Sequence, residues 1–312
     1  MDLSVELCPG LRLQNPVLSA SGTWGAGLEA ARFGDVSGLG GLVTKTVTPR
    51  PRAGNPPTRL AETPAGMLNS IGLENPGMEA FLSPEGDLAK SLELGPPVLL
   101  NVGGESFEEF EEIIERVQGC GAAALEVNLS CPNVQGGALP FSTDPAACEK
   151  VVAACRKRSE LPLFVKLSPN VTRITELAAA AEQGGADGLT LINTLLGMAI
   201  DWRKRRPVLA LGVGGFSGPA IKPVALRCIY QVRQQTQLPI LGVGGVTHGS
   251  DVLEFLLAGA DAVQVGTANF GHPLAPVQIL DELKVLLARE ERPLSDYTRG
   301  LHSNHDLTES RP

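Results

Sequence analysis

The feature that most constrains this chain is a repeating alternation. Short apolar runs rich in Val, Leu and Ile fall at 16–21, 41–46, 97–102, 125–130, 163–168, 188–194, 239–245 and 262–267. Continuous apolar runs belong to strands covered on both faces, as in parallel sheets. Amphipathic stretches at 107–118, 144–158, 174–183, 219–235 and 250–257 separate several of them, each long enough for a right-handed crossover. About eight strands alternating with helices in 312 residues predict an α/β fold of the closed (β/α)8 TIM-barrel type. An open doubly wound sheet is the alternative. No linker-like composition shift divides the chain, so residues 1–312 are expected to form one barrel domain. Two segments exceed ordinary barrel loops: 48–96, rich in Pro, Gly and Asn, and 132–143, rich in Gly and Asn. Both follow a strand and are expected to overhang the C-terminal mouth as lids. The polar tail, 297–312, is expected to fray.

Composition narrows the class of function. Hydrophobic residues make up 43% and charged residues 19%, a balance suited to a folded enzyme. A net charge of −8 disfavours nucleic acid as the main partner. No apolar run reaches the roughly 18 residues of a membrane span, and the start, MDLSVELCPG, lacks a basic segment followed by an apolar one. A cytoplasmic location is the expectation. The 6 cysteines (Cys8, Cys120, Cys131, Cys148, Cys155 and Cys228) form no C-x-x-C pair, so no metal site or chain-borne iron–sulfur site is predicted. Cys120, Cys148, Cys155 and Cys228 lie in helical-looking segments and read as small core residues.

The chemistry lies in how each run ends. The endings are Ser19-Ala20-Ser21, Lys45-Thr46, Asn101, Asn128 with Cys131 just beyond, Lys166, Asn193-Thr194, Gly244-Gly245 and Gly266-Thr267. A barrel gathers such endings at one mouth. Lysine and asparagine inside apolar runs are costly to bury without partners. Singly, each fits a residue that satisfies loop backbone; together they read as a binding constellation. Glycines suggest a second task. Gly212 to Gly218 precedes a helix near Pro219, and Gly244-Gly245 and Gly266-Thr267 end the last two runs. Loops after the seventh and eighth barrel strands often bind phosphate through backbone N–H groups. Neither a phosphate-binding G-x-x-x-x-G-K-[ST] loop nor a strand-flanked G-x-G-x-x-G is present.

The block Asn128-Leu-Ser-Cys-Pro-Asn133 resembles the dihydroorotate dehydrogenases of class 1, and among them the NAD-linked type. The resemblance extends over almost the whole chain. It includes Asn15 to Thr23, Lys45-Thr46, Asn69-Ser-Ile-Gly-Leu-Glu-Asn75, Val165-Lys166-Leu167, Ile192-Asn193-Thr194, Gly214 to Lys222 and Gly242-Val-Gly-Gly245. Phe216 departs from the leucine expected there. The resemblance implies an FMN enzyme that oxidises dihydroorotate to orotate in pyrimidine biosynthesis. A partner subunit carrying FAD and an iron–sulfur cluster would pass the electrons to NAD, around a homodimer core within a heterotetramer. FMN would contact Ser21, Lys45, Thr46, Asn101, Asn128, Lys166, Ile192, Gly218, Gly244, Gly245, Gly266 and Thr267. The substrate would contact Lys45, Asn69, Ser70, Ile71, Gly72, Leu73, Asn128, Asn193 and Thr194. Catalysis would fall to Cys131, Lys45 and Lys166.

The chemistry suits those residue types. The oxidation removes a proton and a hydride from adjacent carbons, and a thiol past the fourth strand can act as the base. Amides carry both donor and acceptor for imide edges, and an amine can offset charge growing on a reduced flavin. A dihydropyrimidine dehydrogenase, a fumarate-linked relative and a catalytically idle flavin- or phosphate-binding scaffold remain the alternatives. The basic run 201–206 reads as a solvated loop, with partner docking as the other reading, and His302 and His305 read as incidental.

Overall fold

The computed structural model describes residues 1–129 and 140–301. Its centre is a sheet of eight parallel strands: β1 (Val17–Ser19), β2 (Leu42–Val43), β3 (Val98–Val102), β4 (Ala124–Asn128), β5 (Leu163–Leu167), β6 (Gly188–Leu191), β7 (Ile240–Val243) and β8 (Ala262–Val265). Hydrogen bonding runs β1-β8-β7-β6-β5-β4-β3-β2. The ring closes between β1 and the start of β2, where Gly40 N donates to Val17 O at 2.8 Å and Ser19 N to Gly41 O at 3.2 Å. This closed barrel excludes the open doubly wound alternative.

Each strand alternates between the inside of the barrel and its helical jacket. Outward residues such as Leu100, Val127, Val165, Leu189 and Val263 share a core with Phe110, Ile113, Val151, Ala178, Ile229, Phe255 and Leu283. Those partners come from α1 (Phe107–Arg116), α2 (Pro145–Arg156), α3 (Ile174–Gln183), α4 (Lys222–Arg233), α5 (Gly249–Ala258) and α6 (Ala275–Glu290). Ser106 and Asp144 start α1 and α2 by accepting backbone N–H bonds from Glu109 and Ala146. Inward residues Leu18, Val43, Leu99, Ala124, Phe164, Leu241 and Ala262 form an apolar floor. An N-terminal hairpin, Val5–Cys8 with Leu11–Leu13, seals that floor from below with Leu7, Leu11 and Leu13.

Several expected boundaries shift. Polar strand ends such as Lys45, Thr46, Asn193, Gly245 and Thr267 lie beyond the paired strands, in the loops. The 16-residue helix α6 and the N-terminal hairpin were not expected from the sequence. The glycine run 212–218 is not the phosphate loop expected. Val213–Ser217 is a strand, and with Leu60–Thr63, Gly66–Asn69 and Leu195–Met198 it makes a four-stranded antiparallel sheet in the order Leu195–Met198, Val213–Ser217, Gly66–Asn69, Leu60–Thr63. The long segment 48–96 thus carries two strands of this sheet and two short helices, Met78–Phe81 and Asp87–Leu92. The basic run 201–206 is a tight exposed turn in which Asp201 accepts from Arg203 N and Lys204 N. Cys148, Cys155 and Cys228 are buried in helices, whereas Cys120 lies past the end of α1 and is half-buried. No helix among the described residues is long and apolar enough to cross a membrane.

In the floor, Gly188 sits in register with Phe164, and a Cβ on Gly188 would overlap the phenyl ring. Gly188→Ala is expected to lower stability by about 1–3 kcal/mol, read by urea unfolding. Adding Phe164→Leu should recover at least half of the loss; no recovery would show that the floor is not packed this way.

Candidate active site

The strand ends and the antiparallel sheet enclose a cavity of about 550 Å³ at the C-terminal mouth. From β1 come Ser21, Gly22 and Thr23; from β2, Lys45 and Thr46; from β4, Asn128; from β5, Lys166. The loop after β6 supplies Ile192, Asn193 and Thr194, and the loops after β7 and β8 supply Gly244, Gly245, Gly266 and Thr267. The segment 48–96 adds Met67, Asn69, Ile71, Gly72, Leu73 and Glu74. Thus most of the residues picked out as strand endings meet in one place. Ser70 and Asn101 sit behind the lining. Ser70 accepts from Asn55 Nδ2, and Asn101 is fully buried within the barrel. Cys131 and most of the 132–143 segment, together with His302 and His305, lie outside the described residues.

The amides are ordered into a chain. Asn193 Nδ2 donates to Asn128 Oδ1 at 3.3 Å, Asn128 Nδ2 donates to Thr46 Oγ1 at 3.3 Å, and Asn193 Oδ1 accepts from Thr194 N at 2.8 Å. Asn69 Nδ2 donates to Gly215 O at 3.2 Å, a bond within the overhanging sheet that fixes the Asn69 amide. Such bonds fix which edge of each amide faces a ligand.

Beneath the cavity lies a polar layer that the sequence reading missed. Glu126, two residues before Asn128 and fully buried, accepts from Asn101 Nδ2 at 2.6 Å, Thr190 Oγ1 at 2.8 Å and Gln264 Nε2 at 2.6 Å. Lys166 Nζ lies 3.5 Å from its Oε1 and donates to Ser21 Oγ at 3.0 Å. The available signal was positional. Glu126, Thr190 and Gln264 stand inside apolar strands on the inward side, where a polar side chain needs partners.

The opposite wall is made of backbone. Gly218, Gly244 and Gly245 have φ of 98°, 135° and 84°, values that side chains rarely tolerate. A Cβ on Gly245 would stand 2.8 Å from Gly218 O, and one on Gly218 2.7 Å from Gly66 Cα, so the backbone itself forms the surface. Thr267 Oγ1 donates to Ser217 Oγ at 2.8 Å beside it. Asp251 holds the loop after β7 in place, accepting from Thr247 N at 2.7 Å, His248 N at 2.9 Å and Lys222 Nζ at 2.7 Å. Burial opposes ionisation of Asp251, but the bonds from Lys222, Thr247 and His248 outweigh it and hold its carboxyl below the usual range.

Burial raises the pKa of each described thiol. Burial pushes Cys148 and Cys155 up to about 12, and desolvation likewise raises Cys8, Cys120 and Cys228. Among the described residues no cluster of His, Cys, Asp and Glu could hold a metal ion.

A (β/α)8 barrel whose mouth joins an amine-and-amide pocket to a glycine-lined backbone wall has its cavity where barrels of this kind place a small-molecule site. Comparison with known proteins refines this class. The family model described as dihydroorotate dehydrogenase matches residues 3–287. A protein of Geotalea uraniireducens, named the catalytic subunit of dihydroorotate dehydrogenase B (NAD(+)), is 50% identical over 296 residues, 95% of each chain. A protein of the same name from Oceanobacillus iheyensis is 48% identical over 312 residues, 100% of this chain and 99% of the relative. The crystal structure of a dihydroorotate dehydrogenase of Eimeria tenella in complex with ferulenol superposes with a TM-score of 0.79 at 24% identity, covering 95% of this chain and 88% of that one. The chain belongs to the dihydroorotate dehydrogenase family, whose members are flavin-dependent oxidoreductases.

Asp251→Asn should cost about 1.5–3 kcal/mol of stability at pH 7, the worth of bonds to a charged group. Because the carboxyl is lowered in the fold, this advantage exists above the usual carboxylate range and is lost as pH falls through its folded value. Denaturant unfolding of wild type and variant at several pH values checks this; a gap that widens on acidification would contradict it.

Proposed function

We propose that this chain is an FMN-binding catalytic subunit that oxidises (S)-dihydroorotate to orotate in the de novo synthesis of UMP, with NAD as the final acceptor. The observation that carries the reading is the convergence of Lys45, Lys166, Asn69, Asn128 and Asn193 on one cavity beside the glycine cradle, in a chain about 50% identical to relatives named for this activity.

The residues present fit FMN. The backbone of Gly218, Gly244, Gly245, Gly266 and Thr267 suits a phosphate monoester. Ser21, Lys45, Thr46, Asn128, Lys166 and Ile192 would hold the ring system. Asn101 Oδ1 is buried without a partner among the described residues, an acceptor suited to a ligand that brings a ring N–H. FMN, when bound, supplies the hydride acceptor that the chain itself lacks.

The remaining steps belong to the protein. Asn69, Asn128, Asn193 and Thr194 present the donors and acceptors that an imide ring requires, with Ser70, Ile71, Gly72 and Leu73 shaping the same wall. Lys45 balances the substrate carboxylate. Cys131 Sγ would take the proton from C5 of the substrate. Lys166 stabilises the negative charge that accompanies hydride transfer. The segments 48–96 and 132–143 act as lids on a single barrel domain, residues 1–312, and exclude water. A partner subunit bearing FAD and an iron–sulfur cluster would supply the route to NAD, around a homodimer of this chain within a heterotetramer. The relatives' designation as a catalytic subunit of an NAD(+)-linked enzyme supports the existence of a partner subunit.

The purified protein should be yellow and should bleach on adding dihydroorotate, but not dihydrouracil, without an added oxidant. A colourless protein, or bleaching by dihydrouracil alone, would refute the reading. Cys131→Ser should keep its flavin and slow bleaching by roughly 10²–10⁴-fold in stopped-flow absorbance. An unchanged rate removes Cys131 from the role of base.

A further inference from the structure

Two described ion pairs have both side chains at most 12% exposed. Arg233–Asp261 also binds Arg299 and the backbone of Ile240, which starts β7 at the end of the barrel away from the mouth. Lys166–Glu126 differs, because its amine lines the cavity while its carboxylate does not. The lysine side chain is 5% exposed and the carboxylate 0%.

The bond lengths divide the work. Each oxygen of Glu126 receives a short bond from a neutral donor, Asn101 to Oε1 and Thr190 and Gln264 to Oε2, at 2.6–2.8 Å. The carboxylate is therefore well hydrogen-bonded without the amine. Lys166 stands further off, at 3.5 Å, and its shorter bond points to Ser21 at the cavity wall. An amine this deeply buried keeps its charge only beside an opposite one. Glu126 does not depend on Lys166 for its hydrogen bonds, whereas Glu126 is the carboxylate with which the buried Lys166 amine pairs.

We propose that Glu126 is a positioning residue of the site: a carboxylate fixed from three strands by neutral donors that holds the Lys166 amine as a cation turned toward the cavity, where it meets the electron-accepting ring. The proposal rests on the flavin reading given above. It assigns to Glu126 an effect opposite in sign to that of its own charge. A bare negative charge near a flavin disfavours reduction. A negative charge that keeps a nearer cation in place favours it.

That sign can be measured. The midpoint potential of bound FMN is compared in wild type, Glu126→Gln, Lys166→Met and the double variant. Glu126→Gln should lower the potential, as Lys166→Met does. The expected size is about tenfold in the preference for reduced flavin, or about 30 mV for a two-electron couple. The double variant should fall no further than Lys166→Met. A potential that rises or stays put in Glu126→Gln overturns the proposal.

Thermal unfolding of the flavin-free protein gives a second readout. Glu126→Gln should melt roughly 5–8 °C below wild type, the cost of stranding one member of a buried pair. Adding Lys166→Met should restore at least half of that loss. No restoration, or failure of both the single and the double variant to fold, overturns the proposal, because Glu126 would then serve the barrel independently of Lys166. Since this second measurement involves neither FMN nor dihydroorotate, the pairing can fail while the functional reading stands, and a wild type that binds no flavin defeats the reading while the coupling is still measured.

Discussion

Everything at the mouth depends on the closure of the barrel between β1 and β2. Two backbone bonds, Gly40 N to Val17 O and Ser19 N to Gly41 O, join the ends of an otherwise open sheet. Closure turns the two-residue period of a strand into layers. Along β3, β4, β5 and β8 the inward side reads Leu99 then Asn101, Ala124 then Glu126 and Asn128, Phe164 then Lys166, Ala262 then Gln264. The lower position is apolar and joins the floor; the next carries the polar layer; the strand end reaches the cavity. A slip of one residue in any strand would exchange inside for outside and destroy the stack.

This layering explains why the fold was readable from sequence and the site only partly so. Runs of Val, Leu and Ile are long enough to announce buried parallel strands, and α1 to α5 carry clear amphipathic patterns. Strand ends stood out because lysine and asparagine interrupt apolar runs at Lys45, Asn128 and Lys166. Glu126, Thr190 and Gln264 were overlooked because each is one polar residue within an apolar strand, and only the alternation shows that they face one another. Gly212 to Gly218 misled for a different reason. Glycines ahead of a helix suggest an anion loop, but here Gly214 and Gly215 allow close packing against Asn69 and Thr194, and only Gly218 reaches the cavity. The pairing of Gly66–Asn69 with Val213–Ser217 joins segments nearly half the chain apart, and no local pattern announces it.

The cavity joins two kinds of surface. One wall is backbone, shaped by glycines whose conformations exclude side chains, and it suits an anion of fixed geometry. The other is side chain, with amides locked in orientation by one another and an amine tethered from below. A rigid cradle and a preset polar wall are the arrangement by which a protein meets developing charge without reorganising. None of the described thiols lines the cavity.

The sheet over the mouth also bears on how the molecule is made. Its strands come from 60–69 and from 195–217, so a ribosome must have passed β6 before the first pair can find the second. Until then the earlier hairpin has a partnerless edge. The wall above the cavity thus cannot be completed until about two thirds of the chain has been made, and a nascent chain cut just after β6 carries most of the barrel strands without an enclosed pocket.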